Sequence, residues 1–386
     1  MEIKTTGGLN EVRQREVAQK RQRIQNFLHT HELDGMVLQS QSFFAWATGG
    51  GSNWVATDNE RGVATLLHLA NGQQYAFANN IEVPRLEQEE FLSELGYQVV
   101  SQDWWLDNAT KEAEIWRLAG GKATRLGSDG FLTGAQNVAG ELSRERWQLT
   151  VEEIDRYRQL GSDAATALET TCANLMPGLT EWEIAGQLAK ASFERGLLPY
   201  VTLVATDERI FNYRHPIPTT KKLESYVMVV LCAKRGGLIA NCTRLVHFGP
   251  LPAELKRKQA AVLQVDATFN LHSIPGAKVS EIFAQAQSVY TEYGFANEWQ
   301  LHHQGGATGY AGRDYLGVPG SPEIVLPNQT FAWNPSIAGI KSEDTVLVTA
   351  DGQHEVLTRA ANSKWPTVQV EVPGLGKLER PLVLEK

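Results

Sequence analysis

The sequence predicts an α+β chain in two parts: a small α/β domain over residues 1–149 and a larger domain over residues 150–386. Three observations carry this. Strand-like and helix-like segments alternate up to about Gln148. A capping box, Thr150-Val-Glu-Glu153, then opens a long amphipathic run. From there, two helices followed by strands occur twice, the pattern of a duplicated unit. A chain of 386 residues also suits two domains better than one.

In the first part, a helical pattern over Val12–Leu28 precedes a short buried strand, Asp34–Leu38. Ser42–Val55 is rich in glycine and aromatics and reads as a loop. Asn71-Gly72 between strand-like runs predicts a hairpin, and helical stretches follow around Val83–Leu95 and Gly134–Trp147. In the second part, Ile154, Tyr157, Leu160, Ala164 and Leu168 repeat at helical spacing until Pro177-Gly178. A second capping box, Thr180-Glu-Trp-Glu183, heads a helix to about Arg195. Strands are predicted over Tyr200–Ala205, Tyr226–Ala233 and Leu238–Phe248, the last two joined at Gly236-Gly237. Helices over Ala253–Phe269 and Ser280–Tyr293 and strands over Gln329–Ile337 and Asp344–Thr349 complete the second copy. The proline-punctuated tail, Trp365–Leu384, is expected to pack across the surface.

Composition excludes several classes. The net charge of -8 comes without a long run of either sign, so no basic face invites nucleic acid. No apolar run approaches a membrane span. The polar N-terminus has no apolar core of a signal peptide. Cys172, Cys232 and Cys242 are odd in number and widely spaced, which fits a reducing compartment and a cytoplasmic protein.

Several short motifs stand in a definite order: Met176-Pro-Gly-Leu-Thr-Glu181, His215-Pro-Ile-Pro218, Asn241-Cys-Thr-Arg244, His303-Gln-Gly-Gly306, Asn334-Pro335 and Lys341-Ser-Glu-Asp344. In order and spacing they resemble the creatinase, aminopeptidase P and prolidase family. The resemblance implies a C-terminal pita-bread domain behind a smaller N-terminal α/β domain, and a homodimer. Peptidases of that family hold two divalent cations with two Asp, one His and two Glu. Here the matching positions are Val230 or Cys232, then Asn241, His303, Asn334 and Glu343. Four carboxylates have become one, and without that charge two close cations repel. The sequence therefore predicts a metal-ligand-deficient member with no cofactor and no metal.

The function expected on this basis is metal-independent, creatinase-like hydrolysis or lysis of a C–N bond in a small nitrogen-containing substrate. His215 would move a proton to the leaving nitrogen, with Glu343 and His303 completing the catalytic set. Asn241, Asn334, Tyr310, Arg313 and Cys232 are expected to bind substrate, Arg313 by clamping a carboxylate. Cys232 in its apolar strand reads first as a small buried hydrophobe, with a nucleophile paired with His215 and a soft metal ligand with His303 and Glu343 as the alternatives. His302 carries little weight beside His303, and Arg244 reads as a brace of its hairpin. Trp46, Asn53 and Trp54 are either core residues or a substrate lid. A divergent Xaa-Pro aminopeptidase or prolidase-like metallopeptidase is the alternative function, and a non-catalytic binding module is a third.

Overall fold

The computed structural model describes residues 10–386. The chain divides into two compact units. One runs up to Arg146 and takes in Thr150–Glu153; the other comprises Trp147–Leu149 and Ile154–Lys386.

The N-terminal unit is a six-stranded mixed sheet with helices against it. Its strands lie in the order Gln98–Gln102, Gln74–Asn79, Arg61–Leu69, Gly35–Ser40, Leu126–Ser128 and Gln136–Asn137. The predicted hairpin forms: Gly72 takes a φ of 89°, and the Asn71 side chain accepts from the Gln73 amide at 3.0 Å. Val37, Leu67, Phe77, Ile115 and Trp116 share one apolar cluster. The Ser42–Val55 loop is in part a helix, Gln41–Ala47, because Ser40 at its N-cap accepts from the Phe43 amide at 3.2 Å. That helix buries Phe43, Phe44 and Trp46. Asn53 is buried too and donates to the Ala64 carbonyl at 3.1 Å. Trp46 and Asn53 therefore build the unit's own core and cannot serve as a substrate lid. The helix expected over Val83–Leu95 stops at Gln88, and Phe91 beyond it adopts a φ of 58°. His68 is enclosed, with its Nε2 3.2 Å from the Tyr97 hydroxyl. Burial, and then the nearby Arg21 charge, hold its pKa down at about 3.

In the C-terminal unit the helical stripe is realised: Ile154, Tyr157, Leu160, Ala164 and Leu168 are all buried on the helix Val151–Ala173. The Thr180–Glu183 capping box closes in both directions and starts the helix Glu181–Phe193. A four-stranded sheet follows, ordered Leu384–Glu385, Leu238–His247, Tyr226–Arg235 and Leu198–Thr206. The helices Ala253–His272 and Val279–Glu292 then lead into a five-stranded sheet. Its order is Tyr315–Leu316, Gly305–Thr308, Gln329–Trp333, Val346–Val348 and His354–Val356. Two helices and a sheet thus occur twice, the layout of a pita-bread domain. The strand predicted over Gln329–Ile337 breaks at Asn334-Pro335, where proline has no N–H for the ladder. Phe269 stacks on Trp333 at 4.4 Å, inside a core that includes Phe331 and Phe283.

The tail does more than cross the surface. It forms a hairpin, Thr367–Val372 with Gly376–Pro381, that inserts Arg380 into the interior. Arg380 meets Asp266 at 2.7 Å and Asp344 at 2.9 Å. Asp344 also binds Arg244 of the central hairpin at 3.0 Å, and Arg244 reaches Glu169 at 3.3 Å. Arg244 is thus the brace its motif suggested. Among the described residues, no helix is long and apolar enough to cross a membrane.

Two predictions follow from these buried charges. Asp344→Ala takes from each of two interior guanidinium groups, Arg244 and Arg380, one of its two carboxylate partners. It should destabilise the C-terminal unit by about 3–5 kcal/mol in denaturant unfolding. His68 has a depressed pKa, so below about 6.5 the unfolded chain takes up a proton that the folded unit refuses. Stability of the N-terminal unit should therefore fall as pH drops from about 6.5 toward 3, by up to about 1.4 kcal/mol per pH unit. His68→Gln should flatten that slope in melts recorded across this range.

Candidate metal centre

The site lies in the C-terminal unit, where two loops meet the ends of two sheets. The central hairpin supplies one wall. Its register pairs Cys232 with Asn241 and Val230 with Thr243. These four side chains share a face, because alternate residues of a strand point the same way. Val230 is packed in the apolar core, whereas Cys232 is half-buried. Cys232 thus stands opposite Asn241, and Val230 opposite Thr243. Burial, and then the Glu343 charge, push the Cys232 thiol pKa up to about 12, which leaves it a poor nucleophile at neutral pH. Asn241 donates to Thr308 Oγ1 at 3.0 Å across to the second sheet, and its Oδ1 is buried without a hydrogen-bond partner.

The second wall begins at Gly305-Gly306, a strand tightly flanked on both sides. A Cβ on Gly305 would lie 2.2 Å from the Ala332 carbonyl, and one on Gly306 would lie 2.2 Å from the Tyr315 carbonyl. These glycines serve close strand approach rather than ligand approach. The register also sets Asn334 beside this strand: its amide donates to the Gln304 carbonyl at 3.0 Å, while its buried Oδ1 has no hydrogen-bond partner. Tyr310 is buried, and its hydroxyl accepts from Arg156 at 3.2 Å.

Three imidazoles converge in front of these walls. His215, His302 and His303 each offer a ligand atom, all within 4.8 Å of one another. His215 Nε2 and His302 Nε2 are 3.2 Å apart, and the rings of His302 and His303 are 4.6 Å apart between centroids. The backbone explains the convergence. Pro216 and Pro218 stiffen the segment that carries His215, and Arg214 ties it to Glu298 at 2.5 Å. His302 is set from behind, with its Nδ1 3.0 Å from Ser336 Oγ. Burial foremost, and then the positive charge of Lys341, bring the His302 pKa down to about 2. Burial and then Arg313 lower His303 to about 4, and burial and then Lys341 lower His215. The three rings are therefore neutral at physiological pH, the form that ligates metal.

Glu343 lies in the same cleft but is fully engaged. Its Oε2 accepts from Lys341 Nζ at 2.7 Å and Thr243 Oγ1 at 2.8 Å, and its Oε1 from Arg313 Nη2 at 2.9 Å. Burial raises its pKa, but Lys341 and Arg313 outweigh this and hold it at about 2. Arg313 also donates to the Gly312 carbonyl at 2.6 Å, and its Nε is buried without a partner.

This geometry corrects the sequence reading. A member stripped of metal ligands, with no metal residues and metal-independent chemistry, is not what folds. Of the expected catalytic set, His215 and His303 come together, but Glu343 is locked between two cations. The third imidazole is His302, which sequence reasoning discounted. That reasoning followed carboxylate positions, and charge loss there says nothing of neutral ligands. The signal was present in adjacent His302-His303 together with His215. Three imidazoles fit a single borderline ion such as zinc, with a position left open. They do not fit a carboxylate-bridged pair of ions, because Cys232, Asn241 and Asn334 bring no charge.

Comparison with known proteins gives the same direction. The chain is 22% identical to an Xaa-Pro dipeptidase of Lactobacillus helveticus, over 86% of this chain and 94% of that protein. Its fold is similar to those of the dipeptidase PepE from Mycobacterium ulcerans and a prolidase from Thermococcus sibiricus. The TM-scores are 0.75 and 0.76, each at 18% identity and each covering 92% of this chain and 98% of the other. The profile of metallopeptidase family M24 matches residues 155–350, the stretch that holds all three histidines and most strands of the two sheets beside them. The match covers more than half of the chain, and the chain belongs to metallopeptidase family M24.

Proposed function

We propose that the protein is a divergent, metal-dependent peptidase of the aminopeptidase and prolidase type, hydrolysing the C–N bond of a small peptide. The observation that carries this reading is the three-histidine cluster, His215, His302 and His303. A bound ion would supply Lewis acidity toward a carbonyl oxygen and a lowered pKa for water. The remaining work falls to the chain. Ser336 fixes the His302 ring from behind, as outer-shell partners do for metal-ligating imidazoles. Arg313, oriented by Glu343, is placed to receive a substrate carboxylate. The free carbonyl oxygens of Asn241 and Asn334 accept from substrate N–H groups. Tyr310, whose hydroxyl accepts from Arg156, offers a phenol to the substrate.

Two measurements test this. Metal-stripped protein titrated with zinc or cobalt should bind an ion. Alanine at His215, His302 or His303 should weaken that binding by about two orders of magnitude or more, whereas Ser336→Ala should weaken it by about tenfold. Binding unchanged in all three histidine variants would overturn the assignment. In a peptide-hydrolysis assay, Arg313→Met should raise KM for substrates with a free carboxylate far more than it lowers kcat. An equal effect on amidated substrates would remove Arg313 from carboxylate recognition.

A further inference from the structure

We propose that Lys341 is a built-in cation of this centre. Its ammonium, with the Arg313 guanidinium, occupies Glu343, so the three histidines bind one ion without a carboxylate ligand. This rests on the three-histidine reading above. The expectation to be overcome is simple: a buried carboxylate beside three imidazoles is the natural fourth ligand. Glu343 is 2% exposed, and its charge bears on both His215 and His303. Thr243, which donates to it, shares a strand face with Cys232 and Asn241, so the carboxylate stands at the wall of the cleft.

Three donors already occupy its two oxygens. Lys341 and Thr243 fill Oε2, and Arg313 takes Oε1. Lys341 is itself buried and has no freedom to swing away. It sits on a two-strand ladder, Ser336–Ile337 with Ile340–Lys341, whose register places Lys341 directly opposite Ser336. Ser336 is the residue that holds His302. One short ladder therefore fixes the ammonium and the central imidazole relative to each other. Charge completes the argument. Lys341 and Arg313 against Glu343 leave one positive charge in excess before any ion arrives. A second divalent cation would meet two fixed cations and the uncharged side chains of Cys232, Asn241 and Asn334. The centre is mononuclear because the protein has supplied the other cation itself.

The test uses the full-length, metal-stripped chain equilibrated with cobalt. Bound ion is counted by elemental analysis after dialysis, affinity is read by chelator competition, and the coordination shell by the visible cobalt spectrum. Wild-type protein should hold one ion per chain. Glu343→Gln should keep that ion and the same spectrum, losing no more than about tenfold in affinity, since the freed charges of Lys341 and Arg313 repel the ion but no ligand is lost. Lys341→Met should release Glu343 toward the metal, with affinity rising by about tenfold or more, a changed spectrum, or a second bound ion. Two ions in the wild type, or a loss of about a hundredfold in Glu343→Gln, would overturn the proposal. If the wild type binds no ion, the three-histidine reading fails, and Lys341→Met still decides this one. An ion bound by that variant alone supports Lys341 as the excluding cation, and an ion bound by neither refutes it.

Discussion

The C-terminal unit depends on Asp344. One carboxylate joins Arg244 of the central hairpin to Arg380 of the terminal hairpin, and Arg380 in turn binds Asp266 on the long helix Ala253–His272. Elements from both copies of the duplicated unit and from the tail thus meet at a single buried charge network. Such networks hold geometry more than they add stability, because desolvation offsets much of the attraction while loss of one partner is strongly unfavourable. Here the geometry held is that of the segment 341–344. Asp344 and Ser342 face the network, and Lys341 and Glu343 face the cleft. The outward pair of charges anchors the strand, and the inward pair shapes the site.

The same segment explains how the site can be positive and still bind a cation. The three imidazoles are neutral because burial and the fields of Lys341 and Arg313 disfavour their protonation. Those fields also oppose a divalent ion, in proportion to its charge, so coordination by three nitrogens has to offset that repulsion. Lys341 and Arg313 are held off by Glu343, which absorbs their nearest hydrogen bonds. On the proposed reading the imidazoles coordinate, while Glu343 engages both Lys341 and Arg313, whose Nε is buried without a partner.

Much of this was legible in the residues. The two capping boxes, the helical stripe from Ile154 to Leu168 and the hairpin at Gly236-Gly237 are local signals. They fold as read because backbone hydrogen bonding and apolar spacing act over a few residues. The ordered motifs likewise led to the family and to His215 and His303. Elsewhere local signals misled. Pro335 cut a strand that apolar spacing had run through, and the Ser40 cap turned a glycine-rich loop into a helix.

What the sequence by itself determined is the duplicated α+β plan, the family's motif order and the loss of charge at Val230 or Cys232, at Asn241 and at Asn334. What only the tertiary structure decided is what replaces that charge. Whether His302 joins His215, 87 positions earlier, depends on how two loops close over two sheets. Whether Glu343 is a ligand depends on where Lys341 and Arg313 point. Coordination and ion pairing act over a few ångströms between residues far apart in the chain. No spacing rule along the sequence encodes those distances; the packed sheets and the Asp344 network do.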